Sequence, residues 1–199
     1  MAEIKFFNRW SAAGITVVDQ GLAPYVTIEP KIVPKTGARY AGNRFHKSQT
    51  FIVERLATKL MNTGHKGKKH FMTSGHNTGK KTKALTIVQA ALAKAEQKLK
   101  QNPLAALVKA VENAAPREEV IAIEYGGARY PKAVDVSPQR RVDLALRNLT
   151  QSAYLKSFNK KTTIEDALAD EIINAALSSG KSAAISKKRD LERQAASSK

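Results

Sequence analysis

A glycine-containing segment ahead of two lysines is the first part of the sequence that could bind a phosphate group. Residues 75–82 read Gly-His-Asn-Thr-Gly-Lys-Lys-Thr. The phosphate-binding loop of nucleotide hydrolases requires a glycine five residues before its Gly-Lys pair and a serine or threonine directly after the lysine. Ser74 and Lys81 occupy those two positions, and no hydrophobic strand precedes the segment. The segment therefore predicts no nucleotide site.

Three histidines in the same loop raise the question of a metal ion. His65, His70 and His76 have no cysteine or carboxylate among them, and the neighbouring lysines would repel a cation. The whole chain lacks cysteine, which excludes disulfides and thiolate sites and fits a reducing compartment. We expect no metal and no cofactor, and we interpret the histidines as solvated side chains beside a polyanion.

Four carboxylates in one predicted helix are the remaining group that could act as acid and base. They are Glu165, Asp166, Asp170 and Glu171. No nucleophile, Gly-rich turn or apolar pocket accompanies them, so nothing would separate their pKa values for catalysis. We interpret them as an exposed acidic helix face that points away from any polyanion. The sequence therefore predicts that the protein is not an enzyme.

The overall charge favours a polyanionic partner. The 199 residues contain 34 Lys and Arg against 17 Asp and Glu, which gives a net charge of +17. A charge of that size repels itself unless a polyanion covers it. Nucleic acid is the first candidate, and an anionic membrane surface is the second. No apolar run is long enough to span a bilayer and no signal peptide opens the chain, so we expect a cytoplasmic protein.

The positive charges fall in five clusters along the chain. One such cluster is usually a solvated face, but five with a large net excess favour nucleic-acid binding. Aromatic side chains lie among the charges and could stack on unpaired bases, although ordinary packing is the alternative and is favoured for Phe45. These aromatics are Tyr40, Phe45, Phe71 and Tyr130. The basic residues that we select as binding candidates are Arg39, Arg44, Lys47, Lys80, Lys81, Lys83, Arg140, Arg141 and Arg147.

The first half of the chain predicts an arm followed by three helices. Residues 1–47 are rich in Gly, Pro and short apolar pieces, and we interpret them as an extended basic arm, with short strands possible at 17–18 and 25–28. Residues 48–199 form the body. Helical spacing predicts a first helix over 48–62 with Ser48 as N-cap and Gly64 as stop, and a second over 81–99. A third starts at Asn102-Pro103 and ends before Pro116.

The spacing of apolar residues changes from the helical period to a period of two, and this predicts a β-hairpin over about 119–136. Residues 119–125 and 129–136 alternate as two strands, and Gly126-Gly127 suits a two-residue turn with positive φ at both positions. Glu124 and Arg129 should face each other beside the turn. Because a lone two-stranded ribbon is marginal in water, we expect it to project from the body towards a partner.

Three further helices complete the body. The fourth starts at Ser137-Pro138, the fifth at Thr163 with Asp166 in the capping-box position and Gly180 as stop, and the sixth at Ser182. The predicted fold is therefore mainly α: a bundle of about six helices, a protruding two-stranded hairpin between helices three and four, and an extended N-terminal arm.

Several strings resemble one known family, small ribosomal subunit protein seven, in order and spacing over nearly the whole chain. The N-terminal arm with Arg39-Tyr40 and the ending with Leu191-Glu192-Arg193 resemble the archaeal and eukaryotic cytosolic branch of the family. The short N-terminus favours an archaeal source. The matching strings are 52–56 (Ile-Val-Glu-Arg-Leu), 102–104 (Asn-Pro-Leu), 111–119 (Val-Glu-Asn-Ala-Ala-Pro-Arg-Glu-Glu), 126–130 (Gly-Gly-Ala-Arg-Tyr), 133–141 (Ala-Val-Asp-Val-Ser-Pro-Gln-Arg-Arg) and 167–173 (Ala-Leu-Ala-Asp-Glu-Ile-Ile).

The resemblance implies a structural protein that binds the 3′ major (head) domain of small-subunit rRNA and helps to nucleate head assembly. The family's basic loop matches Lys80-Lys81 and its basic helix start matches Arg140-Arg141. The family lies near the mRNA exit and the tRNA exit site, beside other head and platform proteins and not at a membrane. The resemblance implies that the hairpin tip lies near these two sites, and the tip residues are Gly126, Gly127, Arg129 and Tyr130. The loop between Gly64 and Gly79 is longer than the family pattern, so its contacts stay open.

Two other classes of protein share some of these features. A DNA-binding or chromatin-type protein would have the same charge and helices, but it would bind duplex DNA about as well as folded rRNA. An enzyme acting on RNA would need an acid, a base or a metal site, and the sequence offers none.

Overall fold

The computed structural model describes residues 4–199 except 38, 40, 41, 67, 68, 71 and 74, and it leaves the side chains of residues 66, 69 and 70 undescribed. Two short 3-10 helices, Ala23–Tyr25 and His46–Gln49, precede the first α-helix. The remaining elements, in chain order, are α1 Ile52–Leu60, β1 His65–Lys66, β2 Lys69–His70, α2 Lys81–Leu99, α3 Pro103–Ala114, β3 Glu118–Tyr125, β4 Ala128–Asp135, α4 Pro138–Ser157, α5 Ile164–Ala176 and α6 Ala183–Ala196.

Helix α5 lies at the centre of the bundle and packs against α2, α3 and α4. Its apolar residues Leu168 and Ile172 are fully buried, as the helical spacing predicts. Local capping sets where these helices begin: the side chains of Asn102, Thr163 and Ser182 each accept a hydrogen bond from a backbone N–H of the first turn. Within the described residues, six α-helices with a hairpin between α3 and α4 confirm the predicted fold class.

One predicted N-cap, Ser48, is wrong, and another, Ser137, is confirmed in its position only. Ser48 lies in the 3-10 helix and is buried; its hydroxyl accepts a hydrogen bond from Gln139 Nε2 at 3.3 Å, and α1 begins only at Ile52. The buried ring of Phe51 sets the start of α1, because tertiary packing there outweighs the local capping preference. Ser137 is in the N-cap position of α4, but its side chain makes no capping hydrogen bond.

The segment before the bundle contributes to the same core as the helices. Phe6, Trp10, Leu22 and Val26 are buried with the helix residues. The short strands considered for residues 17–18 and 25–28 do not form; a single bridge joins Thr27 to Phe51 instead. The backbone N–H groups of residues 18 and 19 donate to the Glu112 carboxylate of α3 at 2.6 and 3.2 Å, which fixes this segment to the bundle.

The hairpin pairs in the predicted register. Glu118 faces Asp135 at its base and Tyr125 faces Ala128 at its tip, where Gly126 and Gly127 have φ of +58° and +80°. Glu124 and Arg129 face each other as predicted, with 3.4 Å between Oε2 and Nε. Residues 121–132 are all exposed, whereas the C-terminus touches the base through a 2.7 Å contact between Lys199 and Glu118. The outer two thirds of the hairpin therefore project from the body.

One carboxylate of the predicted acidic face is internal. Glu171 is fully buried; its Oε1 accepts from the Ser182 hydroxyl at 2.7 Å and its Oε2 from Lys156 Nζ at 2.6 Å. The Ala184 backbone N–H donates to Oε1 as well, at 3.1 Å. This carboxylate therefore holds α4 and α5 to the start of α6. The sequence could not show this, because the helical pattern places Glu171 beside exposed acidic residues.

Removing this carboxylate should destabilise the protein strongly. Replacing Glu171 with alanine leaves a part-buried ammonium and two polar groups without their acceptor, and we expect a loss of roughly 3–5 kcal/mol in the free energy of unfolding. Burial would raise the pKa of Glu171, but the hydrogen bonds from Lys156, Ser182 and Ala184 outweigh it and lower that pKa. The stabilising contribution of Glu171 should therefore be fully present above the pKa that this residue has in the unfolded chain. It should be lost as the pH falls through the lower pKa that Glu171 has in the folded protein.

Urea unfolding of the Glu171→Ala variant at neutral pH measures the loss of unfolding free energy, and the same experiment in acid measures how that loss depends on pH. The matched control is Glu165→Ala, since that carboxylate is about one-third exposed and pairs with Lys94 on the surface. The control should lose less than about 1 kcal/mol. Equal stability of the two variants would contradict the assigned role of Glu171.

Candidate nucleic-acid interface

A basic cleft separates the arm from the second 3-10 helix. Its volume is about 780 Å³, and Thr50 belongs both to this cleft and to a smaller pocket of about 160 Å³ between α1 and α4. The two cavities therefore adjoin at Thr50, and the basic residues around them form one face. The start of α2 reaches this face through Lys81, whose Nζ lies 3.3 Å from the Thr58 hydroxyl of the smaller pocket. The cleft is lined by Lys31, Lys35, Thr36, Gly37, Arg39, His46, Gln49 and Thr50.

The smaller pocket is centred on Asp143 of α4. Lys47 of the 3-10 helix donates a hydrogen bond to Asp143, Arg55 of α1 lies 3.3 Å from it, and Lys59, one turn along α1, lies 3.8 Å from it. Burial would raise the pKa of Asp143, but the hydrogen bond from Lys47 and the charges of Lys59, Arg55 and Lys47 hold it below its ordinary value. We name this cluster the Asp143 pocket.

A second internal carboxylate joins the arm, α1 and α2. Glu54 is fully buried, and its Oε1 accepts from the Thr36 backbone N–H at 2.9 Å and from the Thr36 hydroxyl at 2.8 Å. Lys81 also donates to Glu54, and its side chain is only 16% exposed. Lys81 therefore fixes the start of α2, whereas Lys80 and Lys83 beside it are exposed.

The other predicted members of this face are accessible. Arg39, Arg44 and Arg147 are exposed, and Lys47 is partly exposed. The Arg44 guanidinium lies 5.0 Å from the ring centroid of Phe45. That ring is 50% exposed, so the expectation that Phe45 packs in the interior is wrong. An arginine stacked on an exposed ring is an arrangement that can also stack on an unpaired base.

Arg140 and Arg141 lie at the base of the hairpin with different partners. Arg140 contacts Glu119 of β3 at 2.8 Å and keeps 56% of its side chain exposed. Arg141 contacts Asp19 of the arm at 2.8 Å and is only 12% exposed. Of this pair, Arg140 is available to a ligand, while Arg141 links the arm to α4. The geometry thus separates seven accessible candidates from two, Lys81 and Arg141, that are mostly buried against carboxylates. Lys47 and Arg140 belong to the accessible set, because they keep 42% and 56% of their side chains exposed although each contacts a carboxylate.

The exposed part of the acidic helix face is neutralised within the protein. Lys94 of α2 contacts Glu165 at 3.2 Å and Asp166 at 2.8 Å, and Lys98 contacts Asp170 at 2.6 Å. These carboxylates and lysines compensate each other, so the three partly exposed carboxylates of α5 are paired within the protein. That α5 is turned away from a polyanion stays a prediction.

Some expectations fall on residues beyond those that the structure describes. The aromatic residues Tyr40 and Phe71 lie outside the described residues, and so does the side chain of His70. Among the residues with described positions, no three His, Asp or Glu side chains form a group that could hold a metal ion. No helix in the described ranges is both long and apolar enough to cross a membrane.

The residues that organise the basic face were not predicted from the sequence. Arg55, Lys59 and Asp143 were not selected, although Arg55 and Lys59 are one helical turn apart, as are Asp143 and Arg147. This spacing would have placed each pair on one helix face. It would not have shown that the two faces meet, because Arg55 and Asp143 are 88 residues apart in the chain.

Comparison with known proteins gives a consistent result over nearly the whole chain. The model of the family described as ribosomal protein S7p/S5e matches residues 24–199. The small ribosomal subunit protein uS7 of Nanoarchaeum equitans is 51% identical over 197 residues, which cover 99% of this chain and 100% of the relative. The uS7 protein of Archaeoglobus fulgidus is 43% identical over 197 residues, which cover 99% of this chain and 96% of that relative.

Proposed function

Because the chain belongs to the ribosomal protein S7p/S5e family, we propose that its basic face binds the 3′ major (head) domain of small-subunit rRNA and helps to nucleate head assembly. The chain is a structural, non-catalytic constituent of the small ribosomal subunit, and rRNA binding is typical of the family. Membership in this family also decides against the DNA-binding and RNA-processing alternatives. We place the protein in the cytoplasm, on the ribosome.

The continuity of the basic face is the observation that carries this proposal. The arm, the second 3-10 helix, α1 and α4 line two cavities that share Thr50, and Lys81 at the start of α2 contacts Thr58 of the smaller one. A double- or single-stranded RNA backbone crossing this face would meet lysine and arginine side chains at each step. We assign direct phosphate contacts to the accessible candidates, and we assign Lys81 and Arg141 the task of fixing the surrounding elements in place. The accessible candidates are Arg39, Arg44, Lys47, Lys80, Lys83, Arg140 and Arg147.

Equilibrium binding to matched nucleic acids tests this function. The full chain is titrated with a head-domain rRNA fragment, with a fragment of equal length from another domain of the same rRNA, and with a DNA duplex of equal charge. We expect the head fragment to bind at least about tenfold more tightly than either competitor. Equal affinity for the three ligands would show generic polyanion binding and would refute a head-specific role.

We further propose that the projecting hairpin lies near the mRNA exit and the exit-site tRNA, and that neighbouring head and platform proteins contact the body. At the hairpin tip, Tyr125 and Tyr130 are 81% and 58% exposed, and Arg129 is exposed beside them. Gly126 and Gly127 have open space where a side chain would be, so the turn can approach a ligand closely.

Deleting residues 125–130 and closing the strands with a short turn tests the role of the hairpin. The deletion removes only exposed residues, so we expect the variant to fold, to keep its melting temperature, and to bind head rRNA within about a factor of ten of the parent. Ribosomes carrying it should retain deacylated tRNA less well in the exit site.

A variant with the turn intact provides the control for the deletion. Replacing Glu124 and Arg129 with glutamine removes only an exposed pair at 3.4 Å and should leave the stability unchanged. A large fall in melting temperature of the deletion variant alone would show that the hairpin tip belongs to the core, and the projecting-hairpin proposal would fail.

A further inference from the structure

The Asp143 pocket carries more positive charge than its own carboxylate can neutralise. Lys47, Arg55 and Lys59 approach Asp143 from two different elements, the 3-10 helix and α1. Arg147 follows one turn later on α4, close enough for its charge to act on Lys59. Three cations therefore contact one carboxylate in a pocket of about 160 Å³, and Arg147 is a fourth cation beside it.

The four cations differ in how firmly they are held. The Arg55 side chain is only 6% exposed, and its Nη1 donates to the Tyr25 carbonyl at 2.7 Å, so it is fixed. The side chains of Lys47 and Lys59 are 42% and 37% exposed, and each is held by Asp143 on one side only. Arg55 and Asp143 thus form a rigid base, and Lys47, Lys59 and Arg147 form a rim whose donors can turn towards a ligand.

The electrostatics of the rim are those of an anion site. Burial lowers the pKa of Lys59, and the charges of Lys47, Arg55 and Arg147 lower it further against the opposing charge of Asp143. An anion placed on the rim would relieve this repulsion. Thr50 lines the same pocket and adds a hydroxyl of the kind that binds phosphate oxygens, whereas the Thr58 hydroxyl already donates to the Glu54 backbone carbonyl at 2.9 Å.

We infer that the Asp143 pocket binds one backbone phosphate of the rRNA, and that Asp143 acts as a positioning residue that holds Lys47 and Lys59 in place for it. This inference rests on the proposed function, because it names one contact of the same basic face. The ligand is a phosphodiester monoanion and not a carboxylate, since the net charge of the chain already selects nucleic acid as the partner.

Replacing Asp143 should change the RNA affinity in the direction opposite to that expected from the net charge alone. Replacing Asp143 with asparagine adds one positive charge to the protein, so general electrostatics predicts tighter RNA binding. If Asp143 positions the lysines, the variant should instead bind the head fragment about fivefold to twentyfold more weakly, because Lys47 and Lys59 lose the contact that orders them before binding.

The experiment compares D143N with E165Q in the full chain. Both substitutions change the net charge by the same amount, and Glu165 lies on α5 in a surface pair with Lys94. The measurements are affinity for the head fragment at several salt concentrations, affinity for duplex DNA, and melting temperature. We expect D143N to weaken head-fragment binding and reduce its log–log salt slope by roughly 0.7–0.9, the value of one phosphate contact, with duplex binding unchanged or tighter. E165Q should change none of these appreciably.

A second variant keeps the inference testable if D143N is poorly folded. K59Q removes one rim lysine that is 37% exposed, and it should reduce the salt slope by the same amount without lowering the melting temperature. An unchanged slope in K59Q, or head-fragment binding by folded D143N that equals or exceeds the parent's, would overturn the inference. Neither result would affect the proposed function, which fails only if the unmodified chain shows no preference for the head fragment.

Discussion

Replacing Lys80, Lys83 and Arg147 together with glutamate is expected to weaken binding to the head-domain fragment by at least about a hundredfold. All three side chains are exposed, two at the start of α2 and one on α4. A hundredfold loss corresponds to about 0.9 kcal/mol for each site, which is below the usual value of a charge-assisted hydrogen bond because exposed charges are screened. The melting temperature should change little, since none of the three side chains is part of the core.

Lys81 and Arg141 are deliberately left unchanged in this variant. Both side chains are mostly buried: Lys81 contacts the buried carboxylate of Glu54, and Arg141 contacts the part-buried carboxylate of Asp19. Reversing their charge would disturb folding, and a loss of binding could not then be assigned to the RNA contact.

The matched control reverses three lysines around α5. Lys160, Lys161 and Lys181 are all exposed, and the change in net charge is the same as in the basic-face variant. Long-range repulsion acts on both variants, so the difference between their affinities measures the contacts of the basic face. We expect the control to lose less than about tenfold. Equal losses in the two variants would mean that the RNA-facing side has been assigned wrongly.

Binding to the head fragment should also depend strongly on salt. Each neutralised phosphate contributes roughly 0.7–0.9 to the slope of log affinity against log salt concentration. With at least about five phosphate contacts, raising the salt from about 50 to about 200 mM should lower the affinity by roughly two to three orders of magnitude. Lysine and arginine displace condensed counterions from the RNA, and this displacement is less favourable at high salt.

Filter binding or fluorescence anisotropy at four or more salt concentrations gives this slope directly. The basic-face variant should have a slope smaller by the equivalent of its three lost contacts, while the α5 control keeps the parent slope. A slope near zero for the parent chain would show that binding does not come from phosphate contacts, and the role given to the net charge would be wrong.

The parts of the fold that were predicted correctly are those that local chemistry determines. The bounds of α2 were predicted from periodicity alone, and Asn102 and Thr163 cap α3 and α5 as their positions suggest. The hairpin turn needs positive φ at two successive residues, and a Gly-Gly pair provides it. In each of these cases the deciding interaction spans only a few residues.

The parts that could not be predicted depend on contacts between distant segments. Ser48 does not cap α1, because the buried Phe51 precedes the helix and the Ser48 hydroxyl accepts a hydrogen bond from Gln139 instead. Glu171 is buried because the start of α6 packs over it. The pairing of Arg141 with Asp19 joins residues 122 positions apart. From the sequence, Lys80 and Lys81 are two equivalent basic residues; only the position of Glu54 shows that one faces solvent and the other is held inside.

Ultraviolet cross-linking of the protein to rRNA within purified small subunits, with cross-linked peptides identified by mass spectrometry, tests the central claim most directly. The claim is that the arm, α1, the start of α2 and α4 face the head-domain rRNA. The predicted cross-links lie in residues 39–59, 76–83 and 140–147, and the attached nucleotides come from the head domain. Cross-links concentrated on α5, at residues 164–176, or to nucleotides of another rRNA domain would contradict the claim.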